Sequence, residues 1–191
     1  MHASGQVVAF DLDWAHGLEA LGRALNANLP ADIAVQSVAE SLPGFHPRYS
    51  ARARRYRYTL YNRPVRSPLA ARYSWQVWPA LALPELRSAA QVLLGQHDFA
   101  AFGADPDQGR NTVRTVTHAT WSAAPGGWLH FEIQAEAFLY RMVRSIVGAL
   151  KRVGQGQLSL AEFEALVASR DRAQCPPIAP PQGLCLVEVL Y

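Results

Sequence analysis

Alternation of side chains along the chain marks out its strands. From Ala51 to Tyr61 side chains fall on two faces with a period of two, and 128–135 alternates cleanly, Leu129, Phe131, Ile133 and Ala135 against Trp128, His130, Glu132 and Gln134. Further strands are expected at 5–12, 33–38, 73–77, 112–121 and 184–190. The "SAAPGG" between 112–121 and 128–135 is hairpin punctuation. Helical spacing predicts one helix over 15–27, with Leu18, Leu21 and Leu25 on a stripe that ends before Pro30. A second carries Leu86, Ala90, Leu93 and Leu94 between Pro84 and Gly95. A third runs from Phe138 to Val153 with Met142, Val143, Ile146, Val147 and Leu150 inward, and a short one covers 160–167. "HDFAAFGADPDQGRN", 97–111, reads as a loop. Strand runs broken by helices, with a hairpin among them, imply an α+β fold on a mixed, mostly antiparallel sheet rather than a doubly wound nucleotide fold.

Composition narrows the function classes. Half of the 191 residues are hydrophobic, enough for a real core and against disorder. A net charge of +3 permits a nucleic-acid partner without requiring one. Cys175 and Cys185 form no CxxC pair and the six histidines are scattered, so reduced thiols and no metal site are expected. No apolar run is long enough for a bilayer span and no secretory leader follows Met1, which predicts a cytoplasmic protein without a membrane partner.

The chemistry concentrates in "FHPRYSARARRYRYTLYNR", 45–63. Its six arginines, Arg48, Arg52, Arg54, Arg55, Arg57 and Arg63, are interleaved with Tyr49, Tyr56, Tyr58 and Tyr61. Period two puts Arg52, Arg54, Tyr56, Tyr58 and Leu60 on one face and Arg55, Arg57, Thr59 and Tyr61 on the other. Guanidinium groups grip phosphates and tyrosine rings stack on unpaired bases, so the mixture suits looped or single-stranded RNA. Equally, it suits a solvated strand whose arginines pair with acids and whose tyrosines enter the core. Arg144, on an otherwise apolar helix face, is either placed to meet an anion or packs its stem and keeps its head in water.

"GQVVAF", "ALNANLPADIAV", "FHPRYSARARRYRYTLYN", "LLGQHDFAAF", "RTVTHATW", "AFLYRMVRSIVGAL" and "GLCLVEVLY" follow one another along nearly the whole chain. Together they resemble the successive blocks of the TruA-type tRNA pseudouridine synthases. The resemblance implies a homodimer with the pseudouridine synthase core. Its substrate would be the tRNA anticodon stem-loop, with uridines 38 to 40 isomerised without metal or organic cofactor. It also implies that Tyr56 stacks on the extruded uracil and that Arg144 pairs with the catalytic aspartate. Arg48, Arg54, Arg55 and Arg57 would hold the RNA backbone, and His2 would line the substrate site.

That aspartate belongs to an Arg-Thr-Asp-x-Gly-Val-His-Ala motif, and "MHASGQVVAF" is similar to it only from the Val position, taken here by Met1. The nucleophile is therefore expected three residues upstream, giving an N-terminally truncated chain that is inactive as it stands. A GTG valine codon read as a start would produce such a beginning. Residues 1–44 would be the remainder of an N-terminal domain and 45–191 a C-terminal catalytic and RNA-binding domain. Asp11, Asp13 and Asp98 are not expected to substitute, and Glu136 departs from the Asn more usual in the family. A non-catalytic RNA-binding module and an unstable remnant with exposed strand edges are the alternatives.

Overall fold

A computed structural model describes residues 1–103 and 111–191. They divide into two compact units, Met1–Gln6 with Ala51–Tyr191, and Val7–Ser50.

The larger unit is a seven-stranded mixed sheet, mostly antiparallel, with helices on one face. Its strands are β1 (His2–Ala3), β2 (Ala53–Tyr61), β3 (Trp75–Gln76), β4 (Gly95–Asp98), β5 (Val113–Ala124), β6 (Trp128–Ala135) and β7 (Leu184–Leu190). They are ordered β1-β7-β2-β6-β5-β4, with β3 also on β2; only the β1–β7 and β2–β3 pairs are parallel. β5 and β6 form the expected hairpin, extended so far that Gly126 and Gly127, at φ 89° and 87°, make the turn.

The smaller unit holds α1 (Leu18–Asn28); α2 (Leu83–Gln91), α3 (Met142–Gly154) and α4 (Leu160–Ser169) belong to the larger. Tyr58, Leu60, Phe131 and Ile133 point from the sheet into a core closed by Leu86 and Ala90 of α2, Ile146 and Leu150 of α3 and Phe163 of α4. Pro84 occupies the first turn of α2. At α4 the Ser159 hydroxyl accepts the Glu162 amide while the Glu162 carboxylate accepts the Ser159 amide, a reciprocal cap. No helix among the described residues is long and apolar enough to cross a membrane.

Several expectations are corrected. Residues 5–12 are not a strand: the Ser4 and Gly5 amides converge on one acceptor, Leu186 O, at 2.9 and 3.3 Å, which ends the β1 ladder. Val8, Phe10 and Leu12 beyond it are exposed. Residues 33–38 form none either, because the Asn26 side chain takes both backbone groups of Val35, at 2.7 and 2.9 Å, in place of a neighbouring strand. His97 and Asp98 lie in β4 rather than in a loop, and 104–110 of that expected loop fall outside the described residues. The third helix starts at Met142, not Phe138, because Arg141 takes a left-handed φ of 63° at its N-cap.

Candidate active site

β2 carries Arg54, Arg55, Tyr56 and Arg57 of the candidate residues, and its two faces differ in character. Tyr58 and Leu60 are buried under the helices. Tyr56, two residues before Tyr58, is half-buried on the same face, its ring edge-on to Phe138 at 5.0 Å. Burial holds the Tyr56 hydroxyl above its ordinary 10.0, opposed by the Arg54 guanidinium. The register places Tyr56 beside Leu186 of β7, which in turn lies beside Ala3 of β1. Three strands thus contribute one row, in which the parallel β1 brings the N-terminal residues to within two strands of Tyr56.

Arg144, on α3, is tied into a strap at 176–180. Its Nε donates to Ala179 O at 2.7 Å, and its own carbonyl accepts the Ala179 amide at 3.1 Å. Tyr58, fully buried, donates its hydroxyl to Pro180 O at 2.7 Å. Burial pushes that hydroxyl far above the usual tyrosine range, and nearby Arg144 offsets part of the rise. Arg144 therefore acts on the residue one step along the same face from Tyr56, about 6.6 Å away at the strand rise. Two glycines make room for the strap: a Cβ on Gly148 would run into Pro177 O, and one on Gly183 would lie 2.6 Å from the Tyr58 ring. Among the described residues no Asp or Glu pairs with Arg144, and its Nη atoms make no hydrogen bond.

The remaining candidates separate. Arg54 donates to Glu136 O at 3.1 Å on the strand end nearest Tyr56. Arg55 and Arg57 occupy the opposite face: Arg55 grips Gln134 Oε1 at 2.8 and 3.0 Å and approaches Glu188 at 3.5 Å, while Arg57 holds Glu132 at 2.6 Å. The solvated-strand reading thus holds for one face, where acids meet Arg55 and Arg57, and for Tyr58, which enters the core, while Arg54 lies on the face of Tyr56. His2 bonds Arg72 O at 2.9 Å and packs on Tyr73 at 4.7 Å. Arg48 belongs to the smaller unit, with its guanidinium 5.7 Å from the Tyr49 ring.

Asp98 and Glu136 are otherwise engaged. Asp98 accepts from the Thr112 hydroxyl at 2.5 Å and the Ala100 amide at 3.1 Å and pairs with Arg170 at 3.3 Å. The Thr112 bond foremost, with help from Ala100 and Arg170, holds its carboxyl below the usual value. The Glu136 carboxylate accepts the Thr115 amide with both oxygens, at 2.7 and 2.9 Å, beside the register shift between β5 and β6. Among the described residues no three of His, Cys, Asp and Glu gather where a metal ion could sit.

Sequence reasoning missed Leu186, Phe138 and the strap. The proline-rich "CPPIAPPQG" was the available signal, since a run that cannot form helix or central strand must be held by side chains.

Known proteins are similar in sequence to this chain. The family described as "tRNA pseudouridine synthase" matches residues 89–191. A "tRNA pseudouridine synthase A" of Geobacter sulfurreducens is 42% identical over 191 residues, the whole chain and 78% of the relative. Proteins of the same name from Chromobacterium violaceum and Neisseria gonorrhoeae are 44% and 42% identical, again over the whole chain and over 72% of each relative.

Proposed function

The chain belongs to the tRNA pseudouridine synthase family, and from that membership we propose that it serves the isomerisation of uridine to pseudouridine at positions 38 to 40 of the tRNA anticodon arm. The observation that supports the reading is that Tyr56 and Tyr58 share a face of β2, with Arg144 tied through Ala179 to the strap whose Pro180 carbonyl takes the Tyr58 hydroxyl and with β1 two strands from Tyr56.

The target uridine must leave its stack before its glycosidic bond can be reached. Tyr56, braced by Phe138, offers a ring to the extruded base, and Arg54 supplies positive charge at the same strand end. A carboxylate then bonds to C1′ while the N1–C1′ bond breaks; the base turns, C5 attacks C1′ and displaces the carboxylate, and the C5 proton departs to solvent as N1 takes one up. Arg144, held by Ala179 through Nε, keeps its Nη donors for that carboxylate and favours its ionised, aimed form.

No described acid meets Arg144, and we assign the nucleophile to a carboxylate outside these residues, in the motif that Met1-His2-Ala3 resembles at its end. The 191-residue chain taken alone is then expected to bind tRNA and to release no tritium from tRNA labelled at uridine C5. Release above a blank would overturn the assignment of the nucleophile. Loss of all tRNA binding at low salt would overturn the RNA reading itself. Binding that stays unproductive after the motif is restored would favour a non-catalytic RNA-binding module. We also propose a homodimer, tested by sedimentation equilibrium.

A further inference from the structure

One exposed pair beside this site has no part in the reaction just described. Tyr140 is 59% exposed, and the exposed Arg141 lays its guanidinium carbon 4.8 Å from the Tyr140 ring centroid. Among the described residues the Arg141 guanidinium forms no ion pair and no hydrogen bond. A surface arginine with no anion to meet, stacked on a ring that is itself open to solvent, presents two flat π-faces.

The backbone beneath the pair is held in a conformation that arginine rarely takes. Arg141 has φ 63° and ψ 6°, one of two non-glycine residues at positive φ among the described residues. Its carbonyl accepts both the amide and the hydroxyl of Ser145, at 3.0 and 3.2 Å. Ser145 is fully buried and receives Arg172 Nη1 at 3.0 Å, while the same nitrogen reaches Ala101 O at 3.1 Å. A residue held in the left-handed region by a buried network, where glycine would sit without strain, points to a task for its side chain.

Position supplies the task. Phe138 braces Tyr56, Leu139 is buried against Gly103, and Tyr140 follows, its Cα within about 7 Å of that of Phe138 by two peptide links. The pair therefore stands next to the point where an extruded base would meet Tyr56.

We infer that Tyr140 and Arg141 form a second stacking platform, which receives an unpaired nucleobase of the RNA loop next to the base held at Tyr56. The inference rests on the tRNA reading above and adds a subsite to it. The chemistry asks for a flat, unpaired base on a polyanionic strand, since every base has a π-face while a duplex hides them.

The test measures binding by fluorescence anisotropy, using the 191-residue chain with a labelled anticodon stem-loop and with the same RNA closed into a continuous duplex. Tyr140→Ala is expected to weaken stem-loop binding about 5- to 150-fold and to leave duplex binding unchanged, and Tyr140→Phe should retain the wild-type affinity. Arg141→Gly is expected to raise or preserve the melting temperature, because glycine takes φ 63° freely, and yet to weaken the stem-loop complex. Arg141→Lys, which keeps charge without a flat face, should restore it only in part. A purely structural Arg141 would give Arg141→Gly with unaltered affinity, which overturns the inference. So does a Tyr140→Ala variant that binds the stem-loop as wild type does, or that loses stem-loop and duplex alike. If the wild type binds neither RNA, the tRNA reading falls and this one with it; if it binds and Tyr140→Ala is silent, only the platform falls.

Discussion

Alanine in place of glycine should act with opposite sign in two helices of this chain. Gly148 lies inside α3 and Gly22 inside α1. In either helix the exchange relieves the unfolded chain of glycine's freedom and contributes about 1 kcal/mol to helix stability. At Gly22 the new methyl would meet only Val38 Cγ2 at 3.5 Å, ordinary contact, so Gly22→Ala is expected to stabilise by about 0.5–1 kcal/mol. At Gly148 it would drive into the carbonyl of Pro177, and the strap must shift by roughly 1 Å to restore contact distance. That shift strains the Arg144–Ala179 bonds and the Tyr58–Pro180 bond. Bonds of this kind contribute about 1 kcal/mol each, more for the charged donor. Overpacking adds about 1–3 kcal/mol, so Gly148→Ala is expected to cost about 1–3 kcal/mol net of the helix gain. Urea titration at constant slope gives both values. A Gly148→Ala protein as stable as wild type, or a Gly22→Ala protein that loses stability, would refute the packing argument.

Tyr58→Phe, which removes only the hydroxyl holding Pro180 O, should destabilise by about 1–3 kcal/mol in the same titration. Ser159→Ala should cost about 1 kcal/mol and shorten hydrogen-exchange protection at the first turn of α4. Asp98 has a depressed native pKa, so its contribution is complete above the unfolded value near 3.8 and is lost as pH falls through the lower native value. Asp98→Asn should therefore lower stability at neutral pH and flatten the decline below pH 3.8, read from melting temperatures across that window. Arg54→Ala should weaken tRNA binding and reduce the dependence of log affinity on log salt by about one ion.

Local pattern made much of the fold legible. Period-two alternation in 51–61 and 128–135 corresponds to β2 and β6, and the apolar stripe of α3 is buried along its length. Alternation describes side chains, however, whereas a strand also needs a continuous ladder with a neighbouring strand, and 5–12 and 33–38 form no such strand. Nothing local shows that Asn26 would reach Val35, or that Arg141 would turn left-handed and delay α3. At the site, the common face of Tyr56 and Tyr58 followed from period two. The neighbours that fix its meaning are set by long-range pairing: Leu186 arrives from β7, Ala179 from the strap, and the acids that engage Arg55 and Arg57 from β6 and β7.

The acids on the far side of β2 also govern how a polyanion meets the molecule. With Glu132 and Glu188 set against Arg57 and Arg55, that side is close to neutral at short range, whereas Arg141 and Arg144 meet no acid among the described residues. A modest net charge of +3 is therefore unevenly met among the described residues: the arginines of one face of β2 are countered by acids, while Arg141 and Arg144 stand at the start of α3. On the tRNA reading proposed above, a strand drifting in would be turned toward that end of α3 during the encounter, and productive orientations would be enriched before any base is unstacked.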